Sequence, residues 1–200
     1  EIALEDARKA EQAVMAGEEL GPLHGIPISI KDLQMTKGVR TTGGSLAYKD
    51  RIPEADCAVV ERVLAAGAIM LGKTNSPEFG LLGANENRLG EPCRNPWNPE
   101  RTSGGSSGGA AASIVAGLSS LATGGDGGGS IRIPASFNGI YGIKPTQGRV
   151  SNYSGVNSIS AANYTSQQGP LTRTVRDSAV LLQVIAGYDN RDPGSLRATV

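Results

Sequence analysis

Asp56-Cys-Ala-Val-Val-Glu-Arg-Val-Leu-Ala-Ala-Gly-Ala-Ile-Met-Leu71 is the stretch on which the fold turns. Val59 and Val63, and Val60 and Leu64, stand four residues apart, which puts them on one helix face, so Asp56 to Ala66 is predicted as a helix. Gly67 follows where a C′ glycine belongs. Ala68 to Leu71 is then a buried strand, broken by Asn75-Ser-Pro77. Upstream, Ile26-Pro-Ile-Ser-Ile30 alternates with period two, placing three isoleucines on one face of a strand that ends at Lys31-Asp32. Strand, helix, strand is the order of an α/β fold.

Outward from this unit, Glu1 to Gly17 reads as the tail of an amphipathic helix. Pro92 to Gly109 reads as loop, Ala110 to Gly117 as a small-residue helix and Ser119 to Thr123 as a strand. A short helix is expected near Ile131 to Phe137, and a longer one over Val175 to Ala186, closed by Gly187. Gly155 to Gln168 carries no readable signal beyond loop. The whole, residues 1–200, is expected to be a single domain cut at both ends.

Composition removes several classes of function. Lys plus Arg and Asp plus Glu each number 19, so no basic field exists to hold nucleic acid or an anionic membrane surface. The longest nearly apolar runs are about ten residues, short of the ~20 a membrane span needs. Two cysteines, Cys57 and Cys93, make neither a disulfide framework nor a cysteine-rich zinc site. The 28 glycines are roughly twice the usual share and gather between elements, as turn residues do. A single histidine, His24 in a turn-like Gly-Pro-Leu-His-Gly, rules out a His-rich metal centre and argues against a serine–histidine triad.

Gly67-Ala-Ile-Met-Leu-Gly-Lys-Thr74 matches the phosphate-loop formula letter for letter. The mechanism needs a strand before the loop and a helix after it. Here a helix precedes, the inner residues are strand formers, and Pro77 discourages a following helix, so nucleotide binding is set aside.

Two glycine-serine stretches carry more chemistry: Thr102-Ser-Gly-Gly-Ser-Ser-Gly-Gly109 and Gly127-Gly-Gly-Ser130. A glycine run ending in serine at a helix start can aim backbone N–H groups at a point beside the hydroxyl, as in an oxyanion hole with its nucleophile. Composition alone leaves this open against a flexible loop, although both runs directly precede apolar helices. A serine nucleophile needs a base. Without a suitable histidine, a lysine kept neutral by burial is next, and Lys31 ends a hydrophobic strand; the plain alternative is a lysine emerging into solvent.

Taken together, Pro22-Leu-His-Gly-Ile-Pro-Ile-Ser-Ile-Lys-Asp32, Gly104-Gly-Ser-Ser-Gly-Gly109 and Gly127-Gly-Gly-Ser-Ile-Arg-Ile-Pro134 resemble the amidase signature family of amide hydrolases. Ala65 to Glu78, Gly142 to Arg149 and Gly169 to Asp177 are similar to further blocks of that family, in the same order, over nearly the whole chain. The resemblance implies an α/β fold with a central mixed β-sheet surrounded by helices, of which this chain would be the N-terminal or core part. It implies Lys31 as catalytic base, Ser106 as a bridging serine on a cis peptide bond, and Ser130 as nucleophile. Gly127, Gly128, Gly129 and Ser130 would supply the oxyanion N–H groups. Ser107, Asp126 and Arg132 would support the site by hydrogen bonding, and Lys73 would be structural. Two departures stand out: Gly125, where many members carry Ser or Thr, and Phe137-Asn138 in place of a Phe/Tyr-Cys pair.

The activity so implied is cleavage of an amide or carbamate C–N bond through a serine acyl-enzyme. It would need no cofactor and no metal, would act on a small molecule without direct nucleic acid or membrane contact, and would sit in the cytoplasm, with a homodimer as the expected assembly. The alternative is the glutamine-hydrolysing subunit of a tRNA-dependent amidotransferase, which shares the triad.

Overall fold

In the computed structural model, which describes residues 1–156 and 165–197, helix α1 (Ile2–Ala16) comes first and is closed by Gly17 in the left-handed region, φ 71°. Strand β1 (Pro27–Lys31), helix α2 (Ala58–Ala65) and strand β2 (Ile69–Thr74) follow. Next come the short antiparallel pair β3 (Arg94–Asn95) and β4 (Asn98–Thr102), helix α3 (Gly108–Val115), strand β5 (Leu121–Asp126) and helix α4 (Arg132–Asn138). Strands β6 (Tyr141–Gly142) and β7 (Gln167–Thr172) and helix α5 (Val175–Ile185) complete the described strands and α-helices, and short 3-10 turns stand at Leu46–Tyr48 and Glu78–Gly80.

The main sheet has the order β2-β1-β5-β7-β6. β1 runs parallel to β2 and β5, whereas β5, β7 and β6 are antiparallel neighbours. The sheet is therefore mixed, as expected. β1 is interior, and that burial on both sides explains its pattern. Ile28 and Ile30 are fully buried in one cluster with Val59, Val60 and Val63 of α2 and Leu181 and Ile185 of α5. Ser29 and Lys31 point the opposite way, toward α3, where Ser29 Oγ lies 3.1 Å from Ser113 Oγ. Period-two alternation thus sends the isoleucines into one helix layer and the lysine into the other.

On that second face, Ala110, Ala111 and Ile114 of α3 pack with Ala122, Ile131 and Leu171. Seven of its eight residues, Gly108 to Ile114, are buried, because side chains this small let the helix lie close on the sheet. A Cβ on Gly109 would come 2.4 Å from the backbone nitrogen of Asn75.

Several boundaries differ from the sequence expectation. β2 continues past Leu71 to Thr74, since backbone pairing with β1 extends the strand beyond its apolar run. α3 starts at Gly108, ahead of Ala110. The Pro92–Gly109 loop contains the β3–β4 pair, whose strands are exposed apart from Asn95 and Thr102 and have no hydrophobic alternation to betray them. Strands β6 and β7 are additions to the expected elements; Gln167 and Gln168 open β7, and residues 157–164 of the stretch without readable signal lie outside the described residues. The helices over 58–65, 132–138 and 175–185 stand where periodicity puts them, within a few residues.

Candidate active site

The carboxyl ends of β1 and β5 and the start of β7 meet at one edge of the sheet, since Gly125 pairs with Gln168 and Asp126 with Gln167. The crevice outside strand carboxyl ends is where open α/β sheets hold ligands. A cleft of about 430 Å³ opens there, lined among others by Lys31, Ser106, Ser130, Gly127 and Gly128.

Lys31 ends β1 on the α3 face and is 1% exposed. Its Nζ lies 2.7 Å from Ser106 Oγ and 2.8 Å from Ser107 Oγ. Burial pushes its pKa down to about 7, against a partial opposing pull from the Asp126 carboxylate. Ser107 Oγ in turn donates to the Gly125 carbonyl at 3.4 Å. With that proton committed, Ser107 receives a Lys31 N–H through its lone pair. A neutral Lys31 amine can then turn its own lone pair to the Ser106 hydroxyl.

Ser106 and Ser107 sit where the glycine-serine run enters α3, and the Gly105–Ser106 peptide bond is cis. Gly124 on β5 makes room for them: a Cβ there would come 2.7 Å from Ser107 Oγ. The second glycine run leaves β5 as a tight turn. Ser107 N–H donates to the Ser130 carbonyl at 3.0 Å, which ties the two runs together.

Asp126 organises this second turn from beneath. Its buried carboxylate accepts the N–H groups of Gly129 (2.7 Å), Ile131 (3.2 Å) and Arg132 (3.2 Å), and two guanidinium N–H groups of Arg132 at 2.9 Å. Burial alone would raise its pKa, but the bonds from the Arg132 side chain and from these backbone groups hold it at about 2. Gly129 spends its N–H on Asp126, while Gly127, Gly128 and Ser130 line the cleft.

The structure therefore brings Lys31, Ser106, Ser130, Gly127 and Gly128 to one cleft, with Ser107 buried beside Lys31, and Asp126 and Arg132 holding the turn that contains Gly129. His24 is elsewhere: its Nε2–H donates to the Ala10 carbonyl at 3.0 Å. Lys73 reaches the Gln34 carbonyl and, at 2.7 Å, Thr36 Oγ1, and Gly67–Thr74 is turn and strand with no helix at its end. Asn138 is buried and donates to the Ser103 and Pro134 carbonyls, both at 2.8 Å. Among the described residues, no three His, Cys, Asp or Glu side chains are grouped to hold a metal ion. No described helix is long and apolar enough to cross a membrane.

Sequence reading misses two walls of the cleft. One is apolar, with Phe79, Leu81, Leu82 and Ile133; the other is polar, with Gln34 and Gln168. Gln34 stands three residues after Lys31, a proximity that offers a signal. Gln168 lies in the segment without readable periodicity.

Comparison with known proteins places this geometry among relatives. The family model described as Amidase matches residues 1–199. The chain is 48% identical over 200 residues to a glutamyl-tRNA(Gln) amidotransferase subunit of Trichodesmium erythraeum (strain IMS101), a match covering all of this chain and 41% of that protein. Among solved structures, a bacterial aryl acylamidase of the amidase signature family superposes with TM-score 0.92 at 40% identity, over 99% of this chain and 41% of that one. The peptide amidase of Stenotrophomonas maltophilia gives 0.86 at 37%, over 96% and 40%. The chain thus spans about two fifths of the length of these relatives.

Proposed function

This chain belongs to the amidase family, and from that premise we propose that it carries the nucleophile and base of an enzyme that hydrolyses an amide or carbamate C–N bond through an acyl-serine. The observation that carries the reading is Lys31, fully buried, its Nζ between two serine hydroxyls at 2.7 and 2.8 Å. Among the described residues no anionic group is in contact with this lysine, which favours a neutral base near pH 7.

In the proposed cycle, Lys31 Nζ takes the Ser106 proton while Ser106 takes that of Ser130. Ser130 Oγ bonds to the substrate carbonyl carbon, and the oxygen, now anionic, is met by N–H groups of the Gly127–Ser130 turn. Return of the proton along the relay to the nitrogen lets the C–N bond break and the amine leave. Water, deprotonated by the same relay, then releases the acyl group. Ser107 keeps the amine oriented, and Asp126 with Arg132 keeps the turn folded. The setting we infer is cytoplasmic, in keeping with the unpaired thiols of Cys57 and Cys93.

The test is covalent labelling with a fluorophosphonate probe followed by peptide mapping. Label on Ser130, abolished in Ser130→Ala, is expected; label on another residue overturns the assignment.

A second reading rests on one observation, the 48% identity to a glutamyl-tRNA(Gln) amidotransferase subunit: the amide would be glutamine, and the ammonia would pass to a partner protein. Release of ammonia from glutamine, with co-purification of such a partner, favours it. Turnover of simple aryl or alkyl amides by the protein alone favours the first.

A further inference from the structure

Four side chains cross the cleft wall in a hydrogen-bonded row whose direction is fixed at one end. Asn152 Nδ2 donates to the Ser166 carbonyl at 3.0 Å. A carbonyl only accepts, so Asn152 must turn its Oδ1 to the other side, where Gln168 Nε2 donates to it at 3.5 Å. Gln168 Oε1 therefore faces Gln34 and accepts from its Nε2 at 2.9 Å. Gln34 Oε1 then accepts from Thr123 Oγ1 at 2.5 Å. Gln34 is 4% exposed and Thr123 fully buried, so the row cannot easily reverse.

Each amide nitrogen carries two N–H donors. In this row Gln168 Nε2 uses one, weakly, on Asn152, and among the described residues no acceptor meets the other. Gln168 lines the cleft with Lys31 and Ser130. The neighbouring strand is shaped to allow this. Gln168 pairs with Gly125 across β5 and β7, and a Cβ on Gly125 would come 3.2 Å from Gln168 Oε1 and 3.3 Å from Nε2. Both amide atoms are tethered, so the side chain has little freedom to yield. Even a methyl group at position 125 would therefore press against this amide.

We propose that Gln168 is a specificity-determining residue, donating its remaining amide N–H to an oxygen of the substrate other than the scissile carbonyl. The substrate class selected is an amide or carbamate with a second acceptor oxygen near the reacting carbon, such as an ether, alkoxy or carbonyl oxygen. The inference rests on the hydrolase reading above for its reaction, but not for its binding preference.

The test uses a matched pair, methoxyacetyl-p-nitroanilide and butyryl-p-nitroanilide, in which an ether oxygen replaces one CH₂. The ether oxygen activates the carbonyl in every variant, so the readout is the change in the ratio of kcat/KM values. Gln168→Met, which keeps length but no donor, lowers the preference for the methoxy substrate about tenfold, the scale of one hydrogen bond. Gly125→Ala, which crowds the amide, lowers it too, yet changes nothing further when added to Gln168→Met. Binding is measured separately in Ser130→Ala protein by NMR titration with methoxyacetamide and butyramide, where the methoxy compound binds more tightly only while Gln168 is present. An unchanged ratio in both variants, equal affinities for the two amides, or binding of neither overturns the proposal. Retained binding preference without hydrolysis of either anilide overturns the hydrolase reading and leaves the assignment of Gln168 standing.

Discussion

Ser107 donates its backbone N–H to the carbonyl oxygen of Ser130 at 3.0 Å, while its side chain accepts from Lys31 Nζ at 2.8 Å. One residue at the start of α3 thus couples the end of β1 to the turn after β5, and holds the proposed base and the proposed nucleophile on a common support. The arrangement gives separate, measurable roles to residues that look alike in the sequence.

Ser130→Ala abolishes turnover of any amide substrate, whereas Ser107→Ala, which removes only a positioning hydroxyl, lowers kcat by about 10²-fold, the lower end of a lost catalytic hydrogen bond. The check is steady-state kinetics on purified variants with matched circular dichroism. Equal losses in both would mean that the two serines share one role.

Activity rises with pH on an acid limb centred at about pH 7, the value to which burial brings Lys31. Below it Lys31 is an ammonium with no lone pair, and the rate falls tenfold per pH unit. Lys31→Ala loses most activity at every pH, and Lys31→Arg does no better because guanidinium stays charged. By linkage, the unfolded chain binds this proton between about 7 and ~10.4 and the folded chain does not, so stability rises with pH through that window. A pH–rate profile of wild type beside Lys31→Ala decides it; identical acid limbs at similar rates would remove Lys31 as the base.

Asp126→Asn lowers the melting temperature and the rate together. It takes the charge from a carboxylate that holds three backbone N–H groups and Arg132, a loss of ~1–3 kcal/mol. The stabilising effect of the wild-type carboxylate is fully present above its ordinary pKa of 3.8 and fades as pH falls toward about 2. Thermal melts of both proteins between pH 2 and pH 6 should therefore converge at the acid end.

His24→Ala keeps most activity and costs about 1 kcal/mol of stability, since the imidazole makes one partly buried bond to Ala10 and no contact with the cleft. A fall of about four orders of magnitude with the fold intact would restore a histidine mechanism.

Thr74→Val is neutral or slightly stabilising. Thr74 Oγ1 is buried at the end of β2 and meets no hydrogen-bond partner among the described residues, so an isosteric methyl removes a desolvated hydroxyl without breaking a bond. Denaturant melts test this, and unchanged turnover confirms that the phosphate-loop match carries no chemistry.

Local pattern was enough for part of this molecule. The isoleucine alternation before Lys31, the Val59/Val63 and Val60/Leu64 spacing, and the glycine-serine runs ahead of α3 and α4 depend on neighbours within a turn or two. They made the strand and the helices legible, because periodicity and turn chemistry are written in consecutive residues, whereas Lys31, Ser106 and Ser130 are singled out as candidates by the resemblance of the surrounding blocks to the amidase signature family. The pairing of β5 with β7, the burial of Ser29 and Lys31 on the α3 face, the loss of the Gly129 N–H to Asp126, and the meeting of Gln34 with Gln168 were decided by tertiary structure alone. Each joins groups through space: residues 34 and 168 become partners only when β1 and β7 lie one strand apart on either side of β5. Desolvation works the same way. Lys31 has the same side chain as every other lysine, and only the enclosing layers of α3 and the sheet bring its pKa to about 7.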